Sequence, residues 1–501
     1  MAKTLILYNP KPNINLMSKD IPLALLFVAK MVEAKGYQVK IFSDLDERGL
    51  ILDAAKDALC VGITSMTGNQ IIDGLDLAKS IREKYPNIPF VWGGWHPSLL
   101  PEQTLENEYV DIVVRGQGEM AFYELVQRLE KKEQLDGLLG ISYKKDGRIF
   151  NNPQREYEIL DNFPAIPYHL VEVEKYLFAT EFGDRTVNYV SSYGCPYRCG
   201  FCCEQTVTKR RWYPLSADKV LEDMERLVKD YGANAISIND SNFFVNEKRV
   251  QEICQGILDR KIKVRWGNAN GRTNVLSRYS SKTWELIKES GCYSILTGTE
   301  SGCQETLNLI KKDIKVEDNI AFAKLASKYG IKVIFSNVVG LPWPQKSKEA
   351  LYAQTDKEIK HTLADVEKYL SLDSRNRALM FTYAPYPGTP LYENALKLNF
   401  KPPASFKEWG KFHLYSLHTP WVTKKQENFV TMLSSYIFLF LDSDFRKWIT
   451  KSIKNKVKKF MADILIKTFS SIARIRWQYK FFALPFDYYI YKLIRKIQKE
   501  V

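Results

Sequence analysis

The sequence lacks any stretch apolar enough to cross a membrane as a helix. Its most apolar run, Phe429–Leu441, has 13 residues, whereas a span needs about 20. That run is expected to form a buried or interfacial helix. The start passes from a short apolar strand, Thr4–Tyr8, straight into Asn9-Pro10. A secretion signal needs a longer apolar region and a small-residue cleavage site, so a cytoplasmic place is expected. There is no repeat at solenoid spacing and no low-complexity tract, which excludes repeat and compositional scaffolds. Cysteine is sparse, at 8 in 501 residues, and four of the eight crowd between Cys195 and Cys203. This distribution excludes a disulfide framework and points to a metal site in a reducing compartment.

Basic charge is also missing where a nucleic-acid enzyme would carry it. Of the formal +14, residues 446–501 hold 15 Lys/Arg against 3 acidic residues, a net of +12 that leaves +2 for the rest. A nearly neutral body with a basic tail argues against a nucleic-acid substrate. The tail interleaves its charge with aromatics such as Trp448, Phe460, Phe469, Trp477 and Phe481, a mixture suited to anionic lipid. A solvated helical cap on the body and a base-stacking surface are the two rival readings of the tail.

A chain of 501 residues with 45% hydrophobic content is expected to fold as two or three globular domains. Residues 1–135 alternate strand patterns (Thr4–Tyr8, Gln38–Phe42, Leu59–Thr64, Phe90–Trp92, Val110–Val114) with helical ones such as Leu23–Ala34 and Ile71–Lys84. This is the pattern of a doubly wound α/β domain whose ligands bind beyond the strand ends. Residues 136–185 read as a linker. A second strand–helix series over 186–400 fits a partial (β/α)6 barrel, with strands at Thr186–Ser191, Ala235–Ile238, Val264–Asn268, Tyr293–Gly298, Val333–Val339 and Leu379–Tyr383. The chemistry of such a barrel sits at the strand C-terminal ends. Residues 401–501 read as a helical, basic and aromatic region.

Behind the first barrel strand stands Cys195-Pro-Tyr-Arg-Cys199-Gly-Phe-Cys202-Cys203. Three thiolates in one tight loop favour an iron–sulfur cluster or zinc. Zinc would need a fourth protein ligand, and no cysteine or histidine pair lies nearby. Three cysteines leave one iron of a 4Fe–4S cluster open. A structural zinc knuckle, or unligated buried thiols, is the plain alternative.

The spacing of Cys195, Cys199 and Cys202, with Phe201 before the last, resembles the signature of the radical S-adenosylmethionine (SAM) superfamily. The resemblance implies that SAM chelates the open iron and is split by one electron into methionine and a 5′-deoxyadenosyl radical. Cys203 is extra to the pattern and reads as a neighbouring non-ligand thiol. Later strand ends resemble the family's SAM-facing motifs in order: Asn239–Phe243, with Asp240 as contact to the SAM amino group; Gly298–Gly302, with Glu300 and Ser301 on the ribose side; Val338–Pro342, with Gly340 on the adenine side; and the closing turn Tyr386–Pro390.

A doubly wound domain before such a barrel resembles the cobalamin-binding subgroup. The loop where other cobalamin domains carry a histidine for cobalt reads Asp44-Leu45-Asp46-Glu47-Arg48-Gly49, with Asp46 in its place, so imidazole ligation from there is excluded. Ser65, Gly93 and Gly94 on the third and fourth strand ends are the residues expected to line the cobalamin tail, and Arg115–Glu119 matches the subgroup's turn. An empty, vestigial module is the alternative. Most members that the chain resembles methylate unactivated carbon or phosphinate phosphorus, so a cobalamin-dependent methyltransferase acting on a hydrophobic small molecule is expected. Flavodoxin or ferredoxin would supply electrons, and a peripheral site at the inner membrane face would suit a substrate such as a lipid, isoprenoid or tetrapyrrole precursor. The rivals are radical oxidation or cyclisation without methyl transfer, as in the anaerobic cyclase of chlorophyll synthesis, and a non-catalytic sensor. No substrate-side acid or base is chosen among His96, Tyr193, Arg272 and Tyr386.

Overall fold

The structure is a computed structural model that describes residues 3–12, 20–44, 46–344, 347–413, 417–451 and 455–500. Leu45 and, from the basic tail, residues 452–454 and 501, which entered the sequence readings above, fall outside these. Strands β1 (Thr4–Asn9), β2 (Gln38–Ser43), β3 (Ala58–Thr64), β4 (Phe90–Gly93) and β5 (Ile112–Val114) run parallel in the order β2-β1-β3-β4-β5. Leu5, Ile6, Leu7 and Tyr8 are all buried because helices cover both faces of the sheet. Helices Leu23–Ala34 and Gly118–Lys131 pack on the face that carries Leu5, Leu7 and Val91. Helix Asn69–Lys84 sets Ile71, Leu75 and Ala78 against Ile6, Val61 and Trp92 on the other.

The segment 136–185 does more than connect. It adds a hairpin, β6 (Ile141–Lys145) and β7 (Arg148–Asn151), antiparallel to β5. Asp146 and Gly147 turn it with φ of +50° and +72°, the left-handed pair that a two-residue hairpin loop requires.

Next comes a small antiparallel pair, β9 (Ser192–Gly194) with β10 (Trp212–Pro214), which brackets the cysteine loop. It follows the first barrel strand, β8 (Thr186–Tyr189). Strands β11 (Ala235–Ile238), β12 (Arg265–Gly267), β13 (Ala269–Gly271), β14 (Ser294–Glu300), β15 (Lys332–Val339) and β16 (Arg377–Thr382) complete the barrel. The pairings run β8-β11-β12 and β13-β14-β15-β16, all parallel. Asn268, at φ +58°, breaks one crossing strand into β12 and β13. Six βα units therefore follow one another in sequence order, and among the described residues β8 and β16 do not pair.

That open edge is covered by the C-terminal region. The segment Lys424–Leu441 is helical, with a π-helical turn at Leu433–Ile437. Met380 N on β16 donates to Ser434 Oγ at 3.0 Å. Val430, Leu433, Tyr436, Ile437 and Phe438 are buried, so the 13-residue apolar run is a core helix and not an interfacial one. The two sheets also share a core, because Leu341, Tyr383, Phe406, Trp409 and Trp421 pack into the cluster that holds Ile6 and Trp92.

A buried ion network fastens the C-terminal region to the barrel's N-terminal end. Lys332 and Arg377, the first residues of β15 and β16, both meet Asp442 at 2.7 Å and both meet Glu181. Lys332 and Asp442 are fully buried. Removing one member leaves an uncompensated buried charge, which costs about 3–5 kcal/mol. Asp442→Ala is therefore expected to lower the thermal unfolding midpoint by several degrees, measured by circular dichroism, whereas Lys424→Ala on the exposed surface is expected to leave it unchanged.

Candidate cofactor cavity and cysteine loop

The strand C-terminal ends of the two sheets face each other across one cavity of about 820 Å³. One wall comes from the first domain and includes Asn9, Ser65, Gly93, Gly94, Gly116 and Gln117. The other comes from the barrel, with Ser192, Gly194, Glu204, Asn239, Ser241 and Tyr386. The three sequence-expected cobalamin residues thus share one wall. Cys195, Cys199, Cys202, Glu300, Ser301 and Gly340 do not line this space. The cysteine loop borders it at both ends, through Gly194 just before Cys195 and Glu204 just after Cys203.

The first wall is built by close backbone approach. Gly94 has φ +94°, and a Cβ there would lie 2.7 Å from the Ser65 carbonyl oxygen. Only glycine accepts both conditions. The Ser65 hydroxyl is buried at the cavity wall without a hydrogen-bond partner among the described residues, so it is a polar group waiting for an occupant. Asp46 does not reach the cavity; its carboxylate accepts from Ser43 N at 2.8 Å and lies 3.6 Å from Lys175. His96 is also withdrawn. It is fully buried between the rings of Phe406 and Trp409, and its Nδ1 pairs with Thr67 Oγ1 at 2.9 Å. Burial pushes its pKa down to about 3, so it is a neutral core histidine.

On the barrel side, the loop places Cys195, Cys199 and Cys202 half-buried as free thiols. Burial pushes the thiols of Cys195, Cys202 and Cys203 upward, Cys203 to about 11. Two side chains offer donors to sulfur: Arg272 Nη1 to Cys199 at 3.3 Å and Asn242 Nδ2 to Cys195 at 4.0 Å. Arg272 also lies over the Tyr197 ring at 3.9 Å. Among the described residues no three Cys, His, Asp or Glu side chains converge on a single-ion site.

The two sequence domains have recognised counterparts. The B12 binding domain family matches residues 15–126, and the Radical SAM superfamily matches residues 189–352. An uncharacterised methyltransferase of Pyrococcus horikoshii is 33% identical over 75% of this chain and 79% of its own length. The chain belongs to the cobalamin-binding radical SAM family. An anaerobic magnesium-protoporphyrin IX monomethyl ester cyclase of Rubrivivax gelatinosus is 25% identical over 74% of the chain and 66% of the cyclase. Two solved structures share the fold. OxsB with aqua-cobalamin superposes with a TM-score of 0.69, at 20% identity, over 97% of this chain and 73% of that one. TsrM of Kitasatospora setae, with cobalamin and a [4Fe–4S] cluster, gives 0.63 at 18% identity over 82% and 84%.

This cobalamin-binding radical SAM protein is therefore a radical SAM enzyme of the methyltransferase type, with a 4Fe–4S cluster, SAM and cobalamin as cofactors. The residues present fit those groups: soft thiolates with sulfur-directed donors for the cluster, and an unpaired hydroxyl beside a glycine cradle for cobalamin. The expected SAM residues divide. Glu300 ends β14 at φ +60°, and its Oε1 accepts from Lys312 Nζ at 2.7 Å. Gly298 leaves the space in which that carboxylate lies. The Lys312 carbonyl in turn accepts from Arg272, so Glu300 and Cys199 are linked through two cations. Ser301 Oγ accepts from Cys303 N at 3.1 Å. Gly340 has its N–H on Glu358 at 2.7 Å and its carbonyl on the Trp421 indole at 2.8 Å, so it is a packed turn.

Asp240 is the candidate contact to the SAM amino group. It is fully buried, and its carboxylate accepts from Ser191 N, Ser191 Oγ and Ser192 Oγ at 2.6–2.7 Å. It braces the strand end ahead of the cysteines, while its neighbours Asn239 and Ser241 reach the cavity. Three contributors were not singled out in the sequence. Glu358, fully buried, gathers Gly340 N, Trp343 Nε1 and Thr306 Oγ1. Lys312 partners Glu300. Glu204 accepts from Ser241 Oγ at 2.6 Å at the cavity wall; its place directly behind Cys203 was the available signal.

Gly94→Ala forces a strained φ and a backbone clash, worth about 1–3 kcal/mol. It is expected to weaken cobalamin retention about tenfold or more, read by absorbance after gel filtration, with iron per chain unchanged.

Proposed function

We propose that the protein methylates an unactivated carbon of a hydrophobic small molecule held between its two domains. The observation that carries this is the single cavity whose opposite walls are the strand ends of the cobalamin-binding domain and of the barrel. When bound, the cluster with SAM supplies a hydrogen-abstracting radical and cobalamin supplies the methyl group. Everything else falls to this chain's residues. Cys195, Cys199 and Cys202 would hold the cluster, while Arg272 and Asn242 donate to the Cys199 and Cys195 sulfurs. Glu300 takes the ribose hydroxyls, and Ser301 and Gly340 shape the strand ends around SAM. Asp240 positions the loop. Ser65, Gly93 and Gly94 accommodate the cobalamin tail.

Substrate would enter between Tyr386 and the apolar side chains of Leu23, Phe27, Val28, Val190 and Val207, which suit a water-poor site. Excluding water protects a carbon radical from side reactions. Net turnover consumes two SAM per new C–CH3 bond. One leaves as S-adenosylhomocysteine and the other as methionine and 5′-deoxyadenosine, with two electrons from a donor such as flavodoxin or ferredoxin. A place at the inner face of the cytoplasmic membrane suits a hydrophobic substrate.

The relationship to the cyclase favours one competing reading, radical oxidation or ring closure without methyl transfer. Anaerobic turnover of reconstituted enzyme with methyl-labelled SAM separates the two. Methylation is expected to give S-adenosylhomocysteine and 5′-deoxyadenosine in about equal amounts with label in the product, and Cys199→Ala neither. 5′-Deoxyadenosine alone, with no label transferred, would establish the cyclase-type reaction instead.

A further inference from the structure

Helix Lys456–Tyr479 carries two apolar stripes, and the body uses only one of them. Phe469, Ala473 and the half-buried Ile466 and Trp477 face inward, with Phe469 against Tyr436 and Phe440. The opposite face holds Val457, Phe460, Met461, Ile464, Ile475 and Tyr479, each more than 45% exposed. Their spacings of three, four and seven keep them on one side of a helix. Helix Phe486–Glu500 repeats the arrangement: Tyr488 and Tyr491 are buried, while Phe486, Tyr489, Ile490 and Leu493 are exposed.

The turn between the helices is held rigid. Arg476, buried, donates to the carbonyls of Phe481, Ala483 and Leu484 and pairs with Asp487. This fixes Leu484 at φ +49°, a costly conformation for a bulky residue, and leaves Phe481, Leu484 and Phe486 pointing out at 52–67% exposure. Of the 18 exposed large hydrophobic residues of the described chain, 13 lie between Val457 and Leu493. Scattered single exposures are ordinary, but a concentration of this kind marks a docking surface.

Charge identifies the occupant. This region carries the net +12 noted above, and Lys456, Lys467 and Arg474 flank the outward stripe of the first helix. A second copy would bring the same positive charge against it. Eight of the 13 exposed side chains are Val, Ile, Leu or Met, which provide no stacking platform for bases. Among the described residues no helix is long and apolar enough to cross a membrane. We propose that this helical hairpin docks in the plane of an anionic lipid bilayer, with Phe460, Ile464, Phe481 and Phe486 inserted below the headgroups and the basic residues on the lipid phosphates. The proposal rests on the reading of a hydrophobic substrate above and names the surface from which that substrate is drawn.

The test is vesicle flotation of the full-length reconstituted enzyme, using phosphatidylcholine vesicles with and without about one-third phosphatidylglycerol. Wild type is expected to float with the anionic vesicles about tenfold more than with the neutral ones. The variants F460D/I464D and F481D/F486D are expected to lose flotation about tenfold while keeping iron and cobalamin content, because all four side chains are exposed. Flotation that is equal with both vesicles, or retained in both variants, overturns the proposal. So does a wild-type dimer by light scattering that the variants convert to monomer, since the face would then join two copies. SAM products measured in vesicle-free buffer separate the two ideas: correct products without flotation remove only the docking surface, and flotation without methyl transfer removes only the reaction.

Discussion

A lysine and a glutamate sealed together at the domain junction set the geometry on which the cavity depends. Lys30, on the helix behind β1, lies 3.7 Å from Glu119, at the start of the helix behind β5, and both are almost fully buried. Glu119 also accepts from Tyr193 OH at 3.1 Å, two residues before Cys195. Burial drives the lysine pKa down and the glutamate pKa up, and the opposite charge of each partner works against that shift. Breaking such a pair costs several kcal/mol, and the energetic demand of two buried charges becomes a constraint on distance. The cysteine loop cannot drift from the cobalamin wall without taking the Tyr193 hydroxyl off the buried Glu119 carboxylate.

The rest of the site shows the same logic of polar groups satisfied in layers. Asp240 absorbs three donors from the strand end ahead of the cysteines, and Glu358 absorbs two from the loop after β15 and one from Thr306 on the helix after β14. Neither faces the cavity, and both spend their charge on holding backbone in place. The groups left over are the ones aimed at occupants: the unpaired Ser65 hydroxyl on one side, and the guanidinium of Arg272 on the Cys199 sulfur on the other. Rigid supports behind and unsatisfied groups in front are what preorganisation requires.

Much of this was legible in the sequence because parallel sheets buried on both faces produce continuous apolar runs separated by helical periods. Helix Leu23–Ala34 and strand Ala235–Ile238 fall where their patterns place them, and the three-cysteine spacing carries its chemistry directly. What was not legible depends on which way a side chain turns. Asp240 and His96 sit on strand-end loops, as expected, yet one side chain folds back onto serines and the other between two rings. The hairpin of β6 and β7 was missed although its Asp-Gly turn was in view, because weak periodicity around it read as linker. The tail's two-faced helices could not be told from a one-faced cap, since only packing shows which apolar stripe is used.

The central claim is that one cavity brings cobalamin and the cluster face to face. Electron paramagnetic resonance of the cob(II)alamin-loaded, reconstituted protein, recorded before and after one-electron reduction of the cluster, tests it most directly. With the cobalamin wall on one side of the 820 Å³ space and the cysteine loop bordering the other through Gly194 and Glu204, the two spins are expected to couple, so the cob(II)alamin signal is expected to broaden or split on reduction. A cob(II)alamin signal identical in the two states, with the cluster fully reduced, would contradict the account.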